Sequence, residues 1–504
     1  MRISIDKSLP TPVYIQIKNE IKALIHHGAL PKGFSLPPER KLAGTLQVSR
    51  STVIKAYEEL KALGLVSSHR GMGTRVASEF EQASKPTHTK VLPLSWYPFF
   101  DKIIASTHEH TVKDVMEAAG TAHTISFAAG IADPQLYPMD KLQQIQQELW
   151  LRLGKEMLTL SAVEGYYPLR ESIAKMLTLK DIRVSPKEVM ILSGSMQGLD
   201  FAARAFIQQG DVVLVEEPSF LGALQLFRLQ GARVIGIPMD AEGMKTEVLE
   251  LFLQRHKPKF IYTMPTFQNP TGVVMSLGRR YELLNLAYKY QIPILEDDPY
   301  GELRYEGTDL PPLKALDPYQ HVIYLSTFSK VFSSGFRVGW VAAPLQVIKK
   351  FSLLKQMTDL HVNNPGQYLF DTLLRSGLYE SHLPLIRSAY RKKRDIMAAS
   401  LREKQELPIT FDIPQGGYYI WAKLPQGIPL EKFALRASQK GVVFTPGNLF
   451  YPQESDGEGY MRLNFTYERE DVLQRGMDLL WAALEEIKEE YPILSIQYSH
   501  KPIV

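Results

Sequence analysis

Lys330 is preceded by Ser326-Thr327-Phe328-Ser329 and followed, seven residues on, by Arg337 within Gly335-Phe336-Arg337-Val338-Gly339-Trp340. Upstream stand Glu296-Asp297-Asp298-Pro299-Tyr300 and, earlier, Asn269-Pro270-Thr271-Gly272. A lysine amine condenses with an aldehyde to give an imine. A carboxylate such as Asp297 keeps a ring nitrogen protonated. Asn269 and Tyr300 can hydrogen-bond a phenolate oxygen, and Arg337 offers a planar fork to a phosphate. Taken together, these groups complement pyridoxal 5′-phosphate (PLP). Singly each is weak: Asn-Pro-Thr-Gly is an ordinary turn, and Asp297 alone reads as a strand-end acidic turn.

Further segments extend the set. Ser193-Gly194-Ser195-Met196-Gln197-Gly198 opens a helix, whose free N–H groups and Ser195 hydroxyl suit a phosphate at the positive helix end. Thr327 and Ser329 add hydroxyls beside Lys330. Phe220, after Glu217-Pro218-Ser219, can stack on a pyridine ring, although a lone aromatic is more often core. Arg462, in Met461-Arg462-Leu463-Asn464-Phe465, can receive a carboxylate, although a lone arginine is more often a surface ion pair.

These residues need a frame. Short β-branched runs at about 189–192, 212–215, 260–262, 292–295 and 322–325 alternate with helical patterns, and each precedes a motif-bearing turn. That alternation predicts an α/β domain with a mostly parallel sheet, which binds ligands at the carboxyl ends of its strands.

The chain has 504 residues, enough for two or three domains. Cysteine is absent, so disulfides and thiolate metal sites are excluded, and this fits a reducing cytoplasm. The twelve histidines show no metal-site spacing, and no metal is expected. No apolar run is long enough to span a membrane, and the start lacks a signal-peptide core. The net charge of +4 is unevenly spread: residues 1–77 carry twelve Lys/Arg against five Asp/Glu, a surplus of seven that leaves the remainder at −3. A basic head on a mildly acidic body assigns contact with a polyanion to the head.

Within that head, apolar spacing predicts a helix over 11–27. Pro37-Pro38-Glu39 opens a second that runs to about 46. Ser49 caps a third over about 50–63, and two short strands, 65–68 and 74–76, flank Arg70-Gly71-Met72-Gly73. This is a winged helix-turn-helix. Arg50, Ser51, Thr52 and Lys55 begin the third helix, where such residues meet base edges and phosphates. Arg40 is placed to reach the backbone, and Arg70 and Gly71 the adjoining groove. Residues 78–93 read as a flexible tether and 94–120 as a helical lead-in packed on the large domain.

The words Leu36-Pro37-Pro38-Glu39-Arg40-Lys41-Leu42-Ala43, Val48-Ser49-Arg50-Ser51-Thr52-Val53 and Gly71-Met72-Gly73-Thr74-Arg75-Val76 resemble the GntR family of bacterial repressors. Pro38 replaces the family's usual serine, and Ile54 stands where many members have an arginine. About 120–490 resembles the fold type I (class I) aminotransferases, and the combination is similar to the MocR/GabR type of regulator. The resemblance implies domains at 1–77 and 94–490, with a smaller α+β subdomain from about 370. It places Ser195, Met196, Gln197, Thr327, Ser329 and Arg337 at the cofactor phosphate. Phe220 lies over the ring, Asn269, Asp297 and Tyr300 surround it, and Lys330 carries it as an internal aldimine. Gly130 and Arg462 meet the substrate or effector.

It further implies a homodimer with cofactor sites at the interface. Leu160 stands where the family commonly has a tyrosine reaching the partner's cofactor, so one cross-subunit hydrogen bond is missing unless Tyr166 or Tyr167 supplies it. The function implied is a PLP-dependent transcriptional regulator that binds operator DNA and senses PLP or an amino compound. The alternative is a working aminotransferase whose head localises or autoregulates it.

Overall fold

The computed structural model of the chain describes residues 3, 5–6, 11–69, 73–77, 96–99, 124–128, 130–453 and 457–491. It divides into two compact units, Met1–Thr107 and His108–Val504.

In the first unit, helices α1 (Val13–His26), α2 (Glu39–Leu46) and α3 (Arg50–Ala62) precede an antiparallel hairpin of β1 (Val66–His69) and β2 (Gly73–Val76). Ile17, Ile21 and Ile25 of α1 recur at helical spacing and bury against Val53, Ala56 and Leu60 of α3. The Ser49 side chain accepts the Thr52 N–H at 3.2 Å, which fixes where α3 starts. The expected tether and the wing residues Arg70 and Gly71 fall outside the described residues. Of the lead-in only 96–99 is described, a single 3-10 turn with Trp96 and Phe99 exposed.

The second unit is built on β4 (Val189–Leu192), β5 (Val212–Glu217), β6 (Arg233–Asp240), β7 (Gly243–Met244), β8 (Ile261–Thr263), β9 (Ile294–Asp297), β10 (Val322–Thr327) and β11 (Gly339–Ala342). They form one sheet in the order β4-β11-β10-β9-β8-β5-β6-β7. Strands β10, β9, β8, β5 and β6 are parallel neighbours, whereas β11 runs antiparallel between β10 and β4. The inserted antiparallel strand has a consequence for chemistry. Its beginning lies at the edge where the parallel strands end, so the turn carrying Arg337 joins those following β4, β9 and β10. β4, β9 and the whole of β10 are buried, which explains why β4 is apolar throughout and why β9 and β10 begin apolar and turn polar only at their carboxyl ends.

A smaller antiparallel sheet contains β12 (Thr410–Phe411), β13 (Tyr419–Lys423), β15 (Thr445–Pro446) and β16 (Tyr460–Asn464), in the order β12-β13-β16-β15. Two-residue strands β3 (Ile125–Ser126) and β14 (Val442–Val443) pair in parallel. Among the described residues no helix is long and apolar enough to cross a membrane, and no group of three His, Asp or Glu could hold a metal ion.

Candidate functional site

A cavity of about 300 Å³ opens at the carboxyl ends of the parallel strands. The turn after β4 contributes Gly194 and then α4 (Ser195–Phe206), whose N-terminus faces the cavity with Ser195 and Met196 on its wall. Gly194 has φ 94°, and a Cβ there would stand 2.6 Å from the Arg337 guanidinium. Only glycine lets the helix start and the arginine approach so closely. Arg337 is itself left-handed at φ 54° and donates to the Ser193 carbonyl at 2.9 Å. Thr327 and Ser329 share a hydroxyl–hydroxyl bond of 2.9 Å beside it. A helix N-terminus, two hydroxyls and a guanidinium therefore converge at one end of the cavity, where an anion would find donors on several sides.

The middle of the cavity holds Asp297, Tyr300 and Lys330. Asp297 ends β9, fully buried. Tyr262 of β8 donates to its Oδ2 at 3.0 Å, but its Oδ1 is buried with no hydrogen-bond donor. Burial pushes the Asp297 carboxyl up to about 7, and Asp298 adds to the rise; Tyr262 and Lys330 pull the other way. The expected pairing of Asp297 with a ring nitrogen fits this: the bare Oδ1 suits a protonated ring nitrogen, whose charge would favour the ionised carboxylate. Lys330 follows β10 on a single 3-10 turn, and its ammonium donates to the Gly130 carbonyl. Burial lowers its pKa, Arg462 and Arg337 lower it further, and Tyr419 and Asp297 oppose them. A depressed lysine is the kind that presents a free amine.

Arg462, on β16, closes the far side. Its guanidinium lies 4.1 Å over the Tyr419 ring and 4.9 Å over the Phe450 ring. It donates to Asn269 Oδ1 at 3.1 Å, the Ala128 carbonyl at 2.8 Å and Thr445 Oγ1 at 3.0 Å. Its Nε is buried without a partner. Far from a surface ion pair, it is a buried cation with one donor to spare, suited to a carboxylate.

The structure brings Gly130, Ser195, Met196, Phe220, Asn269, Asp297, Tyr300, Thr327, Ser329, Lys330, Arg337 and Arg462 together on this cavity. Gln197 does not join them. Successive helical side chains point about 100° apart, and that of Gln197 turns away to bond Lys355 at 3.0 Å and Asp359 at 2.9 Å. Leu160 is exposed and Tyr166 packs on Tyr368 at 4.1 Å; neither they nor Tyr167 line the cavity. Tyr419, Thr445 and Phe450 line it and were not anticipated. Gly416-Gly417, with Gly417 at φ 77°, marks the turn into β13 and is a local signal for Tyr419 alone.

On the head, Arg40, Arg50, Ser51 and Lys55 are exposed and Thr52 is half-buried. Arg50 lies 3.7 Å from Glu39, a weak exposed pair. Lys55 is less free than its position suggests, since its ammonium sits 4.0 Å over the Tyr14 ring.

Residues 123–475 match the family of class I and II aminotransferases, and residues 13–76 match the gntR family of bacterial regulatory proteins. Over 403 residues the chain is 37% identical to aromatic-amino-acid aminotransferase 1 of Thermococcus litoralis, covering 79% of this chain and 96% of that one. An uncharacterised HTH-type transcriptional regulator of Bacillus subtilis, YisV, is 33% identical over 469 residues, covering 92% and 94% respectively. LysN, the α-aminoadipate aminotransferase of Thermus thermophilus, solved with N-(5′-phosphopyridoxyl)-L-leucine, superposes with a TM-score of 0.74 at 34% identity, covering 79% of this chain and all of that one. The cofactor that such proteins use is PLP, and the orphaned Asp297 oxygen, the glycine-walled anion corner and the half-buried Lys330 fit it.

Proposed function

From a chain that belongs to the class I and II aminotransferase family and carries a GntR-type DNA-binding head, we propose a transcriptional regulator that senses PLP, or an amino compound reacting with it, through Lys330. The observation that supports this most is the joining in one chain of a head with exposed Arg40, Arg50 and Ser51 to a body with Lys330 half-buried on the wall of a cavity that also holds Asp297, Arg337 and Arg462.

When bound, PLP supplies an aldehyde for covalent capture and a ring that withdraws electrons. The rest falls to this chain. Lys330 offers its amine, and Asp297 holds the proton on the ring nitrogen. Asn269 and Tyr300 would hold the phenolate oxygen, and Phe220 would flank the ring. Ser195, Thr327, Ser329 and Arg337 bind the phosphate; Met196 walls that corner. Arg462 receives the effector carboxylate beside Gly130. Two copies associate with their cavities near the shared interface. An effector changes the arrangement of the heads on operator DNA, in the cytoplasm, only by binding one arrangement more tightly than the other.

Identity of 37% to an aminotransferase favours a second reading, sustained transamination. Mixing the holoprotein with an amino donor and a keto acid separates the two. Under the sensor reading, the donor alters operator affinity and product stops near one equivalent per site. Many equivalents without a change in operator binding contradict it.

A further inference from the structure

Tyr419, on β13, lines the cavity, and Tyr300, Arg462, Gly130 and Lys330 surround its ring and hydroxyl. Tyr300 donates its O–H to the Tyr419 oxygen at 3.2 Å, so that oxygen is the acceptor of the pair. The Arg462 guanidinium covers the ring at 4.1 Å. A Cβ on Gly130 would fall 2.2 Å from the Tyr419 hydroxyl and 3.6 Å from Lys330 Nζ, so both groups border the same point. Lys330 in turn donates to the Gly130 carbonyl. A hydroxyl oxygen that accepts a hydrogen bond and borders an ammonium, on a ring covered by a buried guanidinium, is placed where a phenolate is stabilised.

We infer that Tyr419 is the proton partner of Lys330: its ionised hydroxyl accepts the Nζ proton when the lysine acts as a nucleophile and returns it when the lysine is released. One N–H bond breaks and one O–H bond forms, with the electron pair left on Nζ for attack; the return step reverses both. This rests on the reading of Lys330 as the cofactor-capturing amine and adds a residue that reading does not include.

Electrostatics supports the direction of transfer. Burial alone would raise the Tyr419 phenol, but Arg462, Lys330 and the Tyr300 hydrogen bond together bring it below the ordinary tyrosine value. Burial raises Tyr300 far above that value, so of the two linked phenols Tyr419 ionises first. The other charged and titratable groups facing the pair are Asp297, Arg337 and Tyr418; the last donates its hydroxyl to the Lys330 carbonyl. Gly130 gains a reason here as well. It is the space that the Tyr419 hydroxyl occupies.

The test follows PLP capture by full-length protein freed of cofactor across a pH series, scored by borohydride fixation and mass, with an ultraviolet difference titration of tyrosinate in parallel. In Tyr419→Phe the ring stays on Arg462 and only the hydroxyl is lost. Lys330 then lacks its anion while burial, Arg337 and Arg462 still disfavour its charge. The capture midpoint should fall by about one pH unit or more, and one tyrosinate transition should vanish. Gly130→Ala, which displaces the hydroxyl, should move the midpoint the same way and serves if Tyr419→Phe folds poorly. Arg462→Gln should raise the tyrosinate transition. No capture by the unsubstituted protein sinks the cofactor reading and this inference together. Capture with an unmoved midpoint in folded Tyr419→Phe and Gly130→Ala overturns this inference alone.

Discussion

In the head, Arg50, Ser51 and Thr52 are consecutive and occupy the first turn of a 13-residue helix. In the body, the Arg462 guanidinium bonds the carbonyl of Ala128, 334 residues away in the chain, inside a cavity that also gathers residues from five strand ends. The head works through exposed charges that act nearly one at a time, each screened by salt and worth little alone. The body works through buried groups whose protonation states depend on one another. Losing a contact should therefore weaken the head gradually and disable the cavity abruptly.

The sharpest way to break this contrast is Lys330→Ala. Covalent PLP retention should disappear completely and effector response with it, while the cofactor-free protein still binds operator DNA as before. Retained cofactor after denaturation, read by mass, would show that the cavity does not depend on this amine.

Asp297→Asn should have the next largest effect. The cofactor's affinity should fall roughly tenfold to a hundredfold, the range for a lost charge-assisted hydrogen bond. A second consequence concerns pH. The folded Asp297 carboxyl is pushed from 3.8 up to about 7, so the folded chain keeps a proton that the unfolded chain has released. The stability this contributes is complete below about pH 4 and is lost as the pH rises through about 7. Cofactor-free wild type should accordingly lose melting temperature between about pH 5 and 7, and Asp297→Asn should lose less. Buried Glu216 and Glu296, also raised to about 7, leave part of the slope in place.

Arg50→Ala sharpens the other side of the comparison. Operator affinity should weaken modestly, and its salt dependence should decline by about one unit for the lost phosphate contact. Fluorescence anisotropy over a range of salt concentrations measures both. An unchanged slope would mean that the start of α3 does not meet the phosphates.

How much was legible in the sequence follows the same division. The head's helices could be read because their apolar spacing and the Ser49 cap are local signals. β9 and β10 could be read because each begins with an apolar, β-branched run that is buried on both faces; Asp297 is the last residue of β9, and Lys330 comes three residues after β10. Gln197 follows Ser195 and Met196 in sequence, but the turn of α4 carries its side chain away from the cavity toward Lys355 and Asp359, which a linear motif does not show. Thr445 and Phe450 are hard to read because they sit on a two-residue strand and on the 3-10 turn after it, where no motif marks them; sheet register sets Thr445 opposite Arg462, and Tyr419 has only the preceding Gly416-Gly417 turn to mark it. Leu160 was noticed as a departure, yet its place at an exposed position gives this chain's own cavity nothing to lose.

Borohydride treatment of the holoprotein, digestion and mass spectrometry of the peptides test the core of this account most directly. A phosphopyridoxyl mass on the peptide containing residue 330, and on no other lysine, is the predicted result. Stoichiometric label on a different lysine, or none with cofactor present in excess, would contradict it.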